Sequence, residues 1–246
     1  MVTDNETLDK VYTAENHEEL MDAYKDWAGN YDADTVGAFG YVAHKESAEA
    51  LCRVLDDKDA AILDAGAGTG LVGEELKKRG YKNLDALDYS KEMLDEAEKK
   101  GVYRKLFQAD LSQPLDIEND RYRAIVCTGT FTFGHVDADA FDELVRITEP
   151  GGVICFTVRE GAYEEYGYRK RMIDLERKNA WQLRSMVNTD YLKNEGVTCK
   201  LCTYQVAENC GNKPLTTSAL VRHGIPTRVT NIAFTPEWAL HASEEM

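Results

Sequence analysis

The chain has 246 residues, 43% of them apolar, which is enough for one α/β domain with additions and short for two. Its formal net charge is −15, from 44 acidic against 29 basic residues, a field that repels phosphate backbones and anionic lipid surfaces at long range. Composition therefore argues against nucleic-acid and membrane partners; the amino terminus MVTDNETLDK lacks the basic and apolar segments of a secretion signal, and no run reaches the ~18 apolar residues that span a bilayer.

Residues 7–27 read as a helix, with Leu20, Tyr24 and Trp27 forming an apolar stripe at i, i+4 and i+7. A polar turn over 29–34 leads to a second helix at 43–56, where Ala48, Leu51, Cys52 and Leu55 share a face. From residue 60 the pattern becomes β-α alternation. A short apolar run at 60–64 ends in Asp64 and a glycine loop, and a helix over 70–79 stops at Gly80. Leu84–Leu87 make a second strand ending at Asp88, and Ser90 caps a helix over 91–100. Residues 104–109 form a third strand ending at Asp110, and Ala124–Cys127 a fourth. A helix at 138–148 precedes the strand Val153–Thr157. Residues 164–188 read as helical and 197–206 as a strand; the tail after 208 has no clear period but offers a last strand at 228–234. The basic cluster at 168–172 reads as the solvated face of a helix. Alternation with short loops predicts an α/β, Rossmann-like, doubly wound and mostly parallel sheet, with helices on both faces and an N-terminal helical cap.

The six cysteines are scattered, two of them in apolar strand-like runs, a pattern of reduced thiols that predicts a cytoplasmic protein. Cys199-x-x-Cys202 with Cys210 lacks a fourth ligand at useful spacing, so no metal site is expected.

Function is carried by what stands at the strand ends, because an open α/β sheet binds ligands beyond the carboxyl ends of its strands. Those ends read Asp64-Ala-Gly66-Ala67-Gly68-Thr-Gly70, then Asp88, Asp110 and Thr128-Gly129. Glycines let the chain turn sharply and let a ligand approach the backbone. The spacing G-x-G-x-G, with an acidic residue before it, departs from the G-x-G-x-x-G that seats a pyrophosphate. Asp64 at the mouth suits a cationic or hydrogen-bond-donating ligand, Asp88 suits a ribose diol, and Asp110 stands where an adenine amino group would lie.

These residues resemble the class I S-adenosylmethionine (SAM)-dependent methyltransferases over roughly residues 20–160. Asp64–Gly70 is similar to the family's first motif, Leu87-Asp-Tyr-Ser-Lys-Glu-Met-Leu94 to its second and Gln108-Ala-Asp-Leu111 to its third. Trp27 with Tyr31-Asp32, the run Gly129–Val136, Glu143-Leu-Val and Pro150-Gly-Gly extend the likeness within one branch of the family. The resemblance implies SAM as cofactor, with Gly66, Gly68 and Gly70 beside its methionine part, Asp88 on ribose, and Asp110 and Leu111 at adenine. Tyr89 and Met93 would pack on the adenosine, and Thr128 and Gly129 would line the methionine side. On that footing residues 1–58 are the cap, 59–207 the SAM-binding core and 208–246 a tail.

Methyl transfer from a sulfonium is an in-line displacement on an activated carbon, so the protein mainly supplies proximity and alignment. A base is needed where the acceptor carries a proton at attack. His135, following the fourth strand, is the candidate base, with a locally bonded loop histidine as its plain alternative. Arg159 and Glu160 also stand near the mouth. Tyr31 is the candidate lid over SAM, whereas Trp27 suits core packing. Thr128-Gly129-Thr130-Phe131 lacks the Asn/Asp-Pro-Pro-aromatic pattern tied to amino groups of bases or glutamine, leaving a small-molecule or protein acceptor. Two further readings stay open: a SAM-binding sensor or scaffold without turnover, and a nicotinamide-dependent oxidoreductase sharing Gly66, Gly68 and Asp88.

Overall fold

Alternation of apolar residues sets the frame, and it can be followed strand by strand in the computed structural model, which describes residues 10–11 and 17–208. Helix α1 (His17–Trp27) leads through a short π-helical turn (Ala33–Ala38) to α2 (Ala43–Cys52). Then follow β1 (Ala61–Ala65), α3 (Leu71–Lys78), β2 (Asn83–Asp88), α4 (Lys91–Lys99), β3 (Lys105–Gln108) and β4 (Tyr122–Phe131). The chain continues with α5 (Ala140–Ile147), β5 (Thr148–Arg159), α6 (Ala162–Glu165), α7 (Tyr168–Arg177), β6 (Trp181–Leu192) and β7 (Val197–Val206). The described strands make one sheet in the order β3-β2-β1-β4-β5-β7-β6. Neighbours from β3 through β5 run parallel, and β7 is antiparallel to both β5 and β6.

Because successive residues of a strand point to opposite faces, each central strand feeds two cores. Leu63 and Ala65 of β1, Ile125 and Cys127 of β4, and Ile154 and Phe156 of β5 pack with Phe141 and Leu144 of α5 and Met172 of α7. Their neighbours in sequence, Ile62, Ala124, Val126, Val153 and Cys155, turn the other way, against Leu51 of α2 and Val72 and Leu76 of α3. A doubly covered sheet is the expected α/β architecture.

Beyond β5 the helical reading of 164–188 needs correction. The helix stops at Arg177, and residues 181–188 belong to β6. Asn179 takes a left-handed φ of 52°, and its neighbour's N–H reaches back from Ala180 to the Leu175 carbonyl at 2.9 Å. That is the C-terminal stop usually made by glycine, and asparagine is the other residue that tolerates it. With most of 182–189 exposed on an outer strand, no inward periodicity marks it as β. The start of the first helix before 17 lies mostly outside the described residues, as do the proposed strand at 228–234 and Cys210.

Cys127 on β4, Cys155 on β5, and Cys199 and Cys202 on β7 are buried free thiols. Cys199 and Cys202, three apart on a strand, point to opposite faces and cannot hold one metal ion between them. The basic cluster of α7 turns Tyr168 and Met172 inward, exposes Arg169 and Lys170, and engages Arg171 with Asp142. Among the described residues, no helix is long and apolar enough to cross a membrane.

Candidate functional site

The strand order reverses between β1 and β4, and a crevice of about 780 Å³, open solvent included, lies there. Such a switch point is where α/β sheets bind ligands, since the loops leaving neighbouring strands diverge there. The glycine loop after β1 is held by the end of β2: the Gly66 and Ala67 N–H groups donate to the Leu87 carbonyl at 2.7 and 3.0 Å. Gly66, at φ 74°, passes so close to Thr130 that a Cβ would overlap its hydroxyl. Gly68, at φ 53°, has nothing within reach of a Cβ and leaves open space toward the crevice.

Asp88 closes β2 and lines the crevice. Its Oδ2 accepts from the Gly68 N–H at 2.7 Å and its Oδ1 from the Ser90 N–H at 2.9 Å. The two bonds fix the plane of the carboxylate, and each oxygen retains a further lone pair for a ligand. Burial raises its pKa, against the opposing pull of those backbone donors. Ser90 also caps α4, accepting from the Met93 N–H at 3.2 Å, which turns Met93 under the crevice. Tyr89 stands half exposed at the rim. After β3, Asp110 bonds the Ser112 N–H at 2.8 Å, and with Leu111 it completes that wall. Thr128 and Gly129, within β4, form the opposite side. The Gly129 N–H is anchored on Thr157 at 2.9 Å, while the buried Thr128 hydroxyl has no partner among the described residues.

Eleven of the residues singled out above thus meet at one crevice, Tyr31 and His135 among them; Asp64, Ala67 and Gly70 do not line it. Asp64 is buried beneath the loop, where it accepts a 2.5 Å bond from the Tyr103 hydroxyl. Burial is the main cause that pushes its carboxyl up to about 7; the Asp88 charge adds to this, and the Tyr103 bond opposes it. Ala67 packs with Ala86 and Leu94, and Gly70 with Tyr103 and Ala97. These three residues shape the loop from behind.

The helical segment before β1 supplies the roof. Trp27 is buried, and its indole N–H donates to Asp34 at 2.8 Å, whereas Tyr31 reaches the crevice. Asp32 ties this segment to the loop, accepting from the Thr69 hydroxyl and from Lys100 at 2.6 Å; Lys100 also bridges to Glu74 at 2.9 Å. His135 donates from Nδ1 to the Phe133 carbonyl at 2.8 Å, and its Nε2 lies 2.9 Å from the Tyr24 hydroxyl. A carbonyl can only accept, so Nδ1 carries a proton. In the neutral ring the lone pair then sits on Nε2 and receives the Tyr24 hydroxyl.

Tyr24 and Tyr191 also line the crevice, and sequence reasoning missed both as site residues. Tyr24 sat on an apolar helical stripe and read as core. Tyr191 lies at the end of β6, just past the segment misread as helix.

Residues 62–152 match the family model of a methyltransferase domain. Human methyltransferase-like protein 27 is 36% identical over 139 residues, covering 55% of this chain and 56% of that protein. Malonyl-[acyl-carrier protein] O-methyltransferase of Serratia marcescens is 30% identical over 168 residues, 66% of this chain and 61% of the relative. The chain thus spans less than two thirds of the length of these two relatives. Among solved structures, an S-adenosylmethionine-dependent methyltransferase from Mesorhizobium loti superposes with a TM-score of 0.50 at 14% identity, over 67% of this chain and 98% of that one. The [4+2]-cyclase SpnF superposes at 0.55 with 11% identity, over 67% and 81%. At such identities structural likeness speaks for the fold, which supports more than one chemistry. The matched domain, running from the glycine loop through Asp88 and Asp110 to β5, makes this stretch of the chain similar to methyltransferases, and the superposed structures give it the fold of SAM-dependent members.

Proposed function

We propose that the chain is a SAM-dependent methyltransferase that acts on a small-molecule or protein acceptor. The observation that carries this reading is the oriented carboxylate of Asp88, held by the Gly68 and Ser90 N–H groups at the switch point. In this reading Asp88 receives the ribose hydroxyls, and Asp110 and Leu111 receive the adenine. Tyr89 and Met93 flank the adenosine, while Gly66, Gly68, Thr128 and Gly129 receive the methionine portion. The orphaned Thr128 hydroxyl suits a ligand with polar groups there, since a buried hydroxyl left unpaired is costly. Bound SAM supplies a methyl group on a positively charged sulfur, already activated for in-line attack. Tyr31, latched through Asp32 to Thr69 and Lys100, excludes water from above.

His135 keeps a place in the chemistry, but behind Tyr24. An acceptor that carries a proton gives it to the Tyr24 hydroxyl as that hydroxyl passes its own to His135 Nε2. The resulting imidazolium is held by its Nδ1 bond to Phe133.

Calorimetric titration with SAM, S-adenosylhomocysteine and NADH, with an Asp88→Ala variant alongside, tests the reading. Micromolar binding of both sulfur nucleosides is expected. The variant should weaken it by at least about 100-fold, since hydrogen bonds to a charged partner are worth ~1.5–3 kcal/mol each. Binding of NADH without response to SAM would overturn it.

A further inference from the structure

The loop that brings His135 to the crevice is pinned through its carbonyls. That of Phe133 accepts from His135 Nδ1 at 2.8 Å; those of Thr132 and Val136, on either side, accept from the Tyr168 hydroxyl at 3.1 and 2.6 Å. A carbonyl cannot donate, so one phenolic proton is shared between the two, and burial raises the hydroxyl's pKa and keeps that proton in place. Tyr168 is fully buried, its ring edge-on to Phe131 with centroids 5.4 Å apart. The Phe133 ring fits over Gly161, where a Cβ would come within 2.7 Å of it, and meets Tyr166 at 5.6 Å between centroids. Gly134, at the tip, is exposed and left-handed at φ 73°, so the loop's shape depends on these anchors. Gly161, Tyr166 and Tyr168 all lie beyond the stretch 62–152 that matches a methyltransferase domain.

We infer that Tyr168 is a positioning residue for His135: by holding Thr132 and Val136 it keeps the Phe133 carbonyl opposite Nδ1, and so leaves the Nε2 lone pair to the Tyr24 hydroxyl. Tyr168 does not line the crevice, and it acts through the loop. Which nitrogen of a neutral imidazole carries the proton is set by the bond the other nitrogen makes. With the Phe133 carbonyl displaced, the proton is free to sit on Nε2, 2.9 Å from the Tyr24 oxygen, and Nε2 can then no longer accept one. The path from an acceptor through Tyr24 closes although every reacting group is still present. Packing alone does not call for the Tyr168 hydroxyl, since phenylalanine would fill the same space and spare the cost of burying an oxygen. The inference rests on the proposed function for the use made of Tyr24 and His135; the hydrogen bonds that set the tautomer stand without it.

The test is long-range proton–nitrogen correlation NMR of the full chain carrying isotope-labelled histidine, at pH about 8, where an ordinary imidazole is neutral. His135→Gln assigns the ring signals. The unaltered protein is expected to show His135 protonated on Nδ1. Tyr168→Phe keeps the ring and removes the hydroxyl, and should lower the ratio of Nδ1-protonated to Nε2-protonated His135 by about 5-fold, the change that one ordinary hydrogen bond supplies. A His135 protonated on Nε2 in the unaltered protein would overturn the inference. So would a Tyr168→Phe protein that melts at a lower temperature but keeps the Nδ1-protonated ring, because Tyr168 would then serve structure alone. Where Tyr168→Phe does not fold, Gly161→Ala decides: its methyl group displaces the Phe133 ring and should lower the same ratio, and an unchanged ratio overturns the inference. A protein that binds neither SAM nor S-adenosylhomocysteine would remove the methyltransferase reading, while the tautomer ratio would still decide what Tyr168 does to His135.

Discussion

Asp64 shows how one side chain can serve a loop at the expense of stability. Its carboxyl is enclosed, and burial, with the nearby Asp88 charge, lifts it from an ordinary carboxylate value to about 7 despite the Tyr103 bond. A raised folded-state pKa means that the native protein holds a proton the unfolded chain releases. Stability therefore falls as pH rises from about 4 to about 7, and the full penalty persists above that window. Asp64→Asn keeps the shape and removes the charge. Its melting temperature should exceed that of the parent at pH 8, by on the order of 2–4 °C per kcal/mol relieved, and match it near pH 4. Equal melting at both values would mean that Asp64 stays ionised at little cost.

At the scale of elements, α5 and the segment entering β4 are joined by one guanidinium. Arg146 meets Glu143 through two bonds of 2.9 and 2.7 Å and reaches the carbonyls of Ile117 and Leu115 and the Asn119 side chain. Glu143 in turn accepts from the Leu115 N–H. Both side chains are almost fully buried. Removing one partner strands the other charge, so Arg146→Ala should cost about 3–5 kcal/mol in urea denaturation. The double variant Glu143→Gln with Arg146→Met should be less damaging than the single one, because no unpaired charge remains. The elements most legible in the sequence were those whose ends carry their own punctuation: Gly80 and Ser90 bound helices in the expected places. The stop at Asn179 was not legible, because asparagine takes the left-handed conformation without announcing it. That hid β6, and with it Tyr191. Tyr24 was hidden differently: helical spacing shows which residues share a face, but not that part of this face looks into a cavity.

For the whole molecule, charge is the distinguishing property. Described ion pairs such as Arg53–Glu49, Lys91–Asp95 and Lys99–Glu96 are local and mostly exposed, and pairs of that kind contribute little. The net excess of −15 acts over longer distances and opposes compaction. Raising ionic strength from about 0.01 to 0.15 M shortens the screening length from ~30 to ~8 Å. The melting temperature should therefore rise with sodium chloride over that range. A fall would mean that local pairs outweigh global repulsion.

The buried thiols of β4, β5 and β7 give the sheet a built-in chemical clock. Burial pushes Cys127, Cys155, Cys199 and Cys202 each up to about 12, so almost no thiolate exists while the strands stay paired. Alkylating reagents attack the thiolate, and modification of these four must wait for the strands to part, whereas Cys52 stands partly exposed on α2. Among the cysteines of the described residues, pulse alkylation followed by peptide mass spectrometry should find Cys52 labelled first and the four strand cysteines together, at the frequency with which the sheet opens. Ligands that close the crevice would slow that clock, even where their chemistry with the protein is silent.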